Sequence, residues 1–236
     1  VAAGEAFDPS PSNIDARTTR SALPGGLKLA LLPKQTRGNA VYARVTLRHA
    51  DAKALMGRGT TSSMMLSMLD RGTKTRTRQQ IKDAFDKLKA RVFFGGASNN
   101  ALASIETTRE NLLPTLRLVA EVFKEPVFDA KEFDLLKQEN LAGLEEQKSE
   151  PQAIASIVLN KRLSPYPKGH PLYTSSIDEE IADTKAVTLD GVKKFYAEFV
   201  GASYGDIAVV GDFSQDSVTA LAKELFGSWK SPKPFV

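Results

Sequence analysis

Apolar residues along this chain recur with two different periods, and the switch between them separates strands from helices. In NAVYARVTLRHA, residues 39–50, Val41, Ala43, Val45 and Leu47 alternate with Tyr42, Arg44, Thr46 and Arg48. A period of two marks a strand with one face on a core and the other in water. LKLALLPK, residues 27–34, precedes it, and Gln35-Thr36-Arg37-Gly38 between them reads as a hairpin turn. RVFFGGAS and NALASIETT, residues 91–98 and 100–108, read as two more short strands about a bend rich in Gly and Asn. Together the four are expected to form an antiparallel sheet.

The helical period takes over between and after these strands. In GTTSSMMLSMLDRGTK, residues 59–74, Met64 and Met68 share one face and Met65 and Leu69 the next, a broad stripe suited to burial. Thr60, Thr61 and Ser62 offer oxygens for the helix start, and Gly72 suits its end. Thr77 is placed to cap a second helix whose stripe is Ile81, Phe85 and Leu88. A third, from Glu110, carries Leu112, Leu116, Val119 and Phe123 on one face, tolerates Pro114 in its first turn and stops at Pro126. Asp129 caps a long helix reaching about Lys148, and Glu150-Pro151 opens another that ends near Leu163. Ile177 to Ala182 is a short helix, Thr188 caps one more, residues 204–213 form a last strand, and SQDSVTALAKELFGSWK closes the chain as a helix. This order predicts an α+β fold, an antiparallel sheet covered on one face by helices. Residues 1–22, rich in Pro, Ser, Asp and Arg without periodicity, read as a linker or arm, and residues 23–236 as one α+β domain. A linker at the start implies that something precedes it.

Composition narrows the functional classes. Of 236 residues, 42% are hydrophobic and 25% charged, ordinary for a globular protein with a proper core. No apolar run approaches the ~20 residues that span a bilayer, and VAAGEAFDPSPSN is no signal peptide. The net charge of +4 is spread over interleaved acids and bases, and no aromatic platform accompanies the basic run Arg71 to Arg78, which argues against nucleic acid. The absence of cysteine removes disulfides, thiolate metal sites and cysteine nucleophiles together.

Met68-Leu69-Asp70-Arg71-Gly72-Thr73, following an apolar helix, resembles the zinc-site helix of the pitrilysin/insulinase family, which includes the mitochondrial processing peptidases. The resemblance continues through Leu23-Pro24-Gly25-Gly26-Leu27, Pro126-Val127-Phe128, the Tyr-Pro-x-x-His-Pro-Leu-Tyr phrase at 166–173 and Val209-Val210-Gly211-Asp212-Phe213. Active members carry His-x-x-Glu-His before that tail. On this register the motif falls on Ser63, Met64, Met65, Leu66 and Ser67, so both histidines are serines and the glutamate base is a leucine. The family's third ligand falls near Gly143, with Glu145 and Glu146 just beyond. Neutral hydroxyls do not supply the imidazole, thiolate or carboxylate donors that zinc takes. No metal or catalytic residue is therefore expected in this chain, and zinc is expected in the catalytic half of a longer parent protease.

The resemblance implies a processing-peptidase-like domain, the first of the non-catalytic half of a bacterial zinc endopeptidase. Such a domain would dock on the zinc-bearing half, wall the chamber and help hold peptide or unfolded protein. Active members bind peptide as an added strand at a sheet edge, and here the stretch with Ala101, Ala103 and Ile105 is the candidate edge. Long bacterial members are commonly exported, which implies a periplasmic or secreted protein, with the cytoplasm the other possibility. The alternative is a stand-alone structural or interaction subunit of the same descent. A hydrolase with a new site is a third reading. Ser62, Ser63 and Ser67 lie mid-helix without the turn that exposes a nucleophile. His49 and His170 are either a metal or acid/base pair, or one surface histidine and one bonded to its own loop. Gly25-Gly26 and Gly95-Gly96 lack the Lys-Ser/Thr signature of a phosphate loop.

Overall fold

The computed structural model describes residues 3–236. Its elements in chain order are α1 (Pro11–Arg17), β1 (Thr19–Ala22), β2 (Lys28–Pro33), β3 (Ala40–Arg48), α2 (Ala52–Leu55), α3 (Gly59–Met68), α4 (Arg78–Lys87), β4 (Arg91–Ala97), β5 (Asn100–Thr108), α5 (Arg109–Lys124), α6 (Ala130–Gln147), α7 (Pro151–Leu163), α8 (Ile177–Ala186), α9 (Leu189–Phe199), β6 (Gly205–Gly211) and α10 (Gln215–Phe226). The six strands form one open sheet in the order β1-β2-β6-β3-β5-β4.

The fold is α+β as the periodicities predict, but the sheet is mixed. β2 and β3 do not form a hairpin, because β6, from the far end of the chain, lies between them. It runs parallel to β2, with Leu29 beside Ile207 and Leu31 beside Val209, and antiparallel to β3, with Val45 beside Ile207. Gln35–Asn39 is thus a connection over the sheet end. The reason is burial: Leu29, Leu31, Val41, Val45, Ile207 and Val209 all face one core, and inserting β6 joins these inward rows into one continuous surface. β4 and β5 do pair as a hairpin. At its turn Gly96 has φ +140°, and a Cβ there would lie 2.0 Å from the carbonyl oxygen of Asn100, so only glycine fits.

The arm is not a free linker either. Ser10 caps α1, Glu5 pairs with Arg17, and the ammonium of Lys34 sits 4.0 Å from the centre of the Phe7 ring. β1 then adds an outer strand to β2, Thr19 beside Leu31. No residue of β1 is buried, so it carries no apolar alternation to read.

Capping explains where most helices begin. Thr77 with Gln80 and Ser176 with Glu179 form reciprocal capping boxes, and Asp129, Thr188 and Ser214 each accept from first-turn amides. α3, like α5 and α7, has no side-chain cap. It starts at Gly59 after Arg58, which makes no side-chain cap, and none of Thr60, Thr61 and Ser62 serves as one. Burial stabilises α3 instead: Met64, Met65, Leu66 and Met68 are all in the core. Beyond it, the carboxylate of Glu121 accepts from the hydroxyls of Thr73 and Thr75 and from Arg76, holding the Gly72-Thr73-Lys74 loop against α5.

Candidate functional site

The region to which the sequence assigns a vestigial metal site is the exposed face of α3 and the facing part of α6. Ser63 and Ser67, one turn apart, are exposed, whereas Leu66 between them is buried in the core. The Ser67 hydroxyl donates to the carbonyl of Ser63 at 3.2 Å, a local bond within the helix rather than an activated nucleophile. Gly143 lies on α6, and a Cβ added there would meet nothing within 4 Å. These positions offer two hydroxyls and no side chain. Glu145 is engaged with Lys148, and Glu146 is exposed on α6. Among the described residues no group of three or more His, Cys, Asp or Glu could hold a metal ion.

A cavity of about 660 Å³ opens beside the start of α3, lined by Thr60, Thr61 and Ser63 on one side and by Lys168, His170 and Asp183 on the other. Part of its wall comes from the 164–176 loop, which lies between α7 and α8. There Tyr166 stacks on His170 with ring centres 4.4 Å apart, and Nδ1 of His170 accepts from the backbone N–H of Leu172 at 3.1 Å. Glu179 ties this loop to α8. It accepts from the backbone N–H of Ser176, from Lys168 and from Tyr173, and these bonds to its charged form bring its pKa down to about 2. His170 thus does bond its own loop.

His49 is not a surface residue. It is 1% exposed at the end of β3, edge-on to Phe195 at 5.9 Å. Ser62 donates its hydroxyl proton to the carbonyl of Ser98 at 2.7 Å, so it accepts from Nε2–H of His49 at 3.2 Å. Nδ1 is then unprotonated and without a partner. Burial pushes the imidazole pKa down to about 4, favouring the neutral ring. The hydroxyl of Ser62 therefore joins α3 to the β4–β5 turn.

The candidate peptide-binding edge is corrected. β5 is flanked by β3 on one side and β4 on the other, and Ala101, Ala103 and Ile105 point into the core. The free edge on this side of the sheet is β4, where Phe93 stands 65% exposed beside Gly95. Strand order is a long-range property, and nothing in the local pattern distinguishes β4 from β5 as the outer strand.

Against known proteins, the family model described as the peptidase M16 inactive domain matches residues 186–236. A crystal structure of a peptidase M16 inactive domain from Pseudomonas fluorescens superposes with a TM-score of 0.79 at 25% identity, over 93% of this chain and 52% of that one. Over its C-terminal part this chain is similar to the peptidase M16 inactive domain, and over nearly all of its length it shares the fold of such a domain. A protease from Helicobacter pylori (TM-score 0.76, 20% identity, 93% of this chain and 52% of that one) and a conserved protein from Enterococcus faecalis (0.73, 16%, 93% and 54%) share the fold. The chain spans about half the length of each of these structures. The family model and the Pseudomonas structure place it with the inactive domains, in keeping with a non-catalytic role. No helix among the described residues is long and apolar enough to cross a membrane.

Proposed function

We propose that this chain is a non-catalytic building block of a zinc endopeptidase, which docks on the zinc-bearing half and walls a peptide-binding chamber. The reading is carried by the donor set: on the register that the resemblance implies, Ser63, Ser67 and Gly143 fall at the ligand positions and Leu66, which is buried, at that of the base. Such a set does not fit zinc, which takes about three imidazole, thiolate or carboxylate ligands. Any hydrolytic step would belong to the other half. What this domain contributes is shape: a rigid helical layer, and the unpaired edge of β4, to which an extended peptide adds by backbone hydrogen bonds with little demand on its sequence.

The test is zinc content by elemental analysis after incubation with excess zinc and desalting. About zero equivalents is the expected result; about one equivalent would overturn the reading and return His49, His170, Glu145 and Glu146 to consideration as ligands.

A further inference from the structure

His49 follows β3, and three elements that only the fold brings together close over it: α3, the tip of the β4–β5 hairpin (residues 97–100) and α9. Its backbone N–H donates to the carbonyl of Asn99 at 2.8 Å, and its ring donates to Ser62, whose own hydroxyl donates to the carbonyl of Ser98 at 2.7 Å. Backbone and side chain of one residue thus fasten the tip to β3 and to α3 at once. The fastening suits only the neutral ring, because a proton on Nδ1 would place a second donor on a buried nitrogen that has no hydrogen-bond partner.

The surroundings do not offset a positive charge. α3 and the residues of the tip carry no titratable side chain. On α9 it is Phe195 that meets the ring edge-on; Glu198 is held by Arg58 and Lys233, Tyr196 donates to the carbonyl of Phe123, and Asp190, Lys193 and Lys194 are exposed. Beside it in the chain, Arg48 pairs with Asp206 on β6, and Asp51 caps α2. An imidazolium here is a buried, unpaired charge, relieved only if one of the three covers moves off and admits water. α3 and α9 are anchored by Met64, Met65, Met68, Val192 and Phe199, all buried, whereas Ser98, Asn99 and Asn100 are partly exposed and β4 has β5 as its only neighbour in the sheet. The tip is the cover that yields at least cost.

We propose that His49 is an acid-operated latch: proton uptake by its ring releases the β4–β5 tip from α3 in a local opening, without unfolding the domain. Ser98 of the tip lines the cavity of about 660 Å³ beside α3, as do Thr61 and Ser63, which flank Ser62. The opening therefore extends that cavity inward and lets water reach the ring. The latch involves neither a metal nor a peptide at β4, so it is independent of the zinc reading.

Amide hydrogen exchange followed by NMR at pH 7.5 and pH 5, corrected for intrinsic rates, tests it. The backbone N–H of His49, bonded to the tip, reports the latch, and the amides at the centre of β3, paired on both sides, report global unfolding. The expected result is that His49 exchanges faster than the centre of β3 at both pH values. The seated ring titrates at about 4 and a solvated one near 6.5. The opening constant at position 49 should therefore be about thirtyfold larger at pH 5 than at pH 7.5. In His49→Gln the two values should agree within about twofold. Ser62→Ala, which removes the link to Ser98 and leaves the imidazole, should raise the constant by roughly threefold to tenfold at both pH values and keep a pH ratio above about tenfold. Should His49→Gln not fold, the wild-type ratio and Ser62→Ala decide the matter. A ratio near one in wild type, a ratio that persists in His49→Gln, an amide at 49 that exchanges only together with the centre of β3, or indifference to Ser62→Ala would each overturn the latch.

Discussion

His49 should make this domain acid-labile in a way that one substitution isolates. The imidazole is buried, its Nδ1 has no partner, and its pKa lies at about 4, against about 6.5 in an unfolded chain. The folded pKa is depressed, so between pH 6.5 and 4 the unfolded chain binds a proton that the native state refuses. Stability is therefore unaffected above the unfolded value, falls with pH across this window, and levels off below about 4. The gap corresponds to a loss of about 3 kcal/mol in full, of which about 2 kcal/mol is already present at pH 5. Urea denaturation at pH 7.5 and pH 5, on wild type and His49→Gln, reads this term directly. Glutamine keeps an N–H donor for Ser62 but does not titrate, and every other titrating group cancels in the comparison. The variant should be less stable at pH 7.5, because it loses the edge contact with Phe195, yet its loss between the two pH values should be about 2 kcal/mol smaller than that of wild type. Equal losses, within about 0.5 kcal/mol, would show that His49 does not titrate as a buried neutral ring and would refute the reasoning.

Two further predictions test the neighbourhood of α3. Arg71, 9% exposed, bridges from the end of α3 to Glu139 at 2.7 Å and Glu132 at 3.3 Å on α6. Because both carboxylates are partly solvated, Arg71→Ala should cost only about 1–3 kcal/mol in urea, less than for a fully buried pair, and Arg71→Lys should recover part of it. The triple variant Ser63→His, Ser67→His, Gly143→Glu should bind about one equivalent of zinc by elemental analysis, since the first two positions are exposed one turn apart and a Cβ at the third meets nothing within 4 Å. Failure to bind would place the facing position elsewhere on α6.

Local patterns carried much of this architecture in the sequence alone. The alternation in β3 is legible because its two faces meet different solvents, and Thr77, Asp129 and Thr188 announce helix starts because capping is settled within three residues. That residues 63 and 67 are serines, where the resemblance implies imidazoles, is likewise a matter of residue identity. The tertiary structure decided what depends on distant partners. β6 enters between β2 and β3 because only the assembled core makes that order bury one continuous apolar face; β1 is a strand only because β2 offers it an edge; and β4, not β5, is left with unpaired backbone. The charge state of His49 belongs to the same class. In the sequence it is a polar residue ending a strand, and it becomes a buried neutral ring once α3 and α9 close over it, since desolvation is set by everything packed around a group and not by its neighbours along the chain.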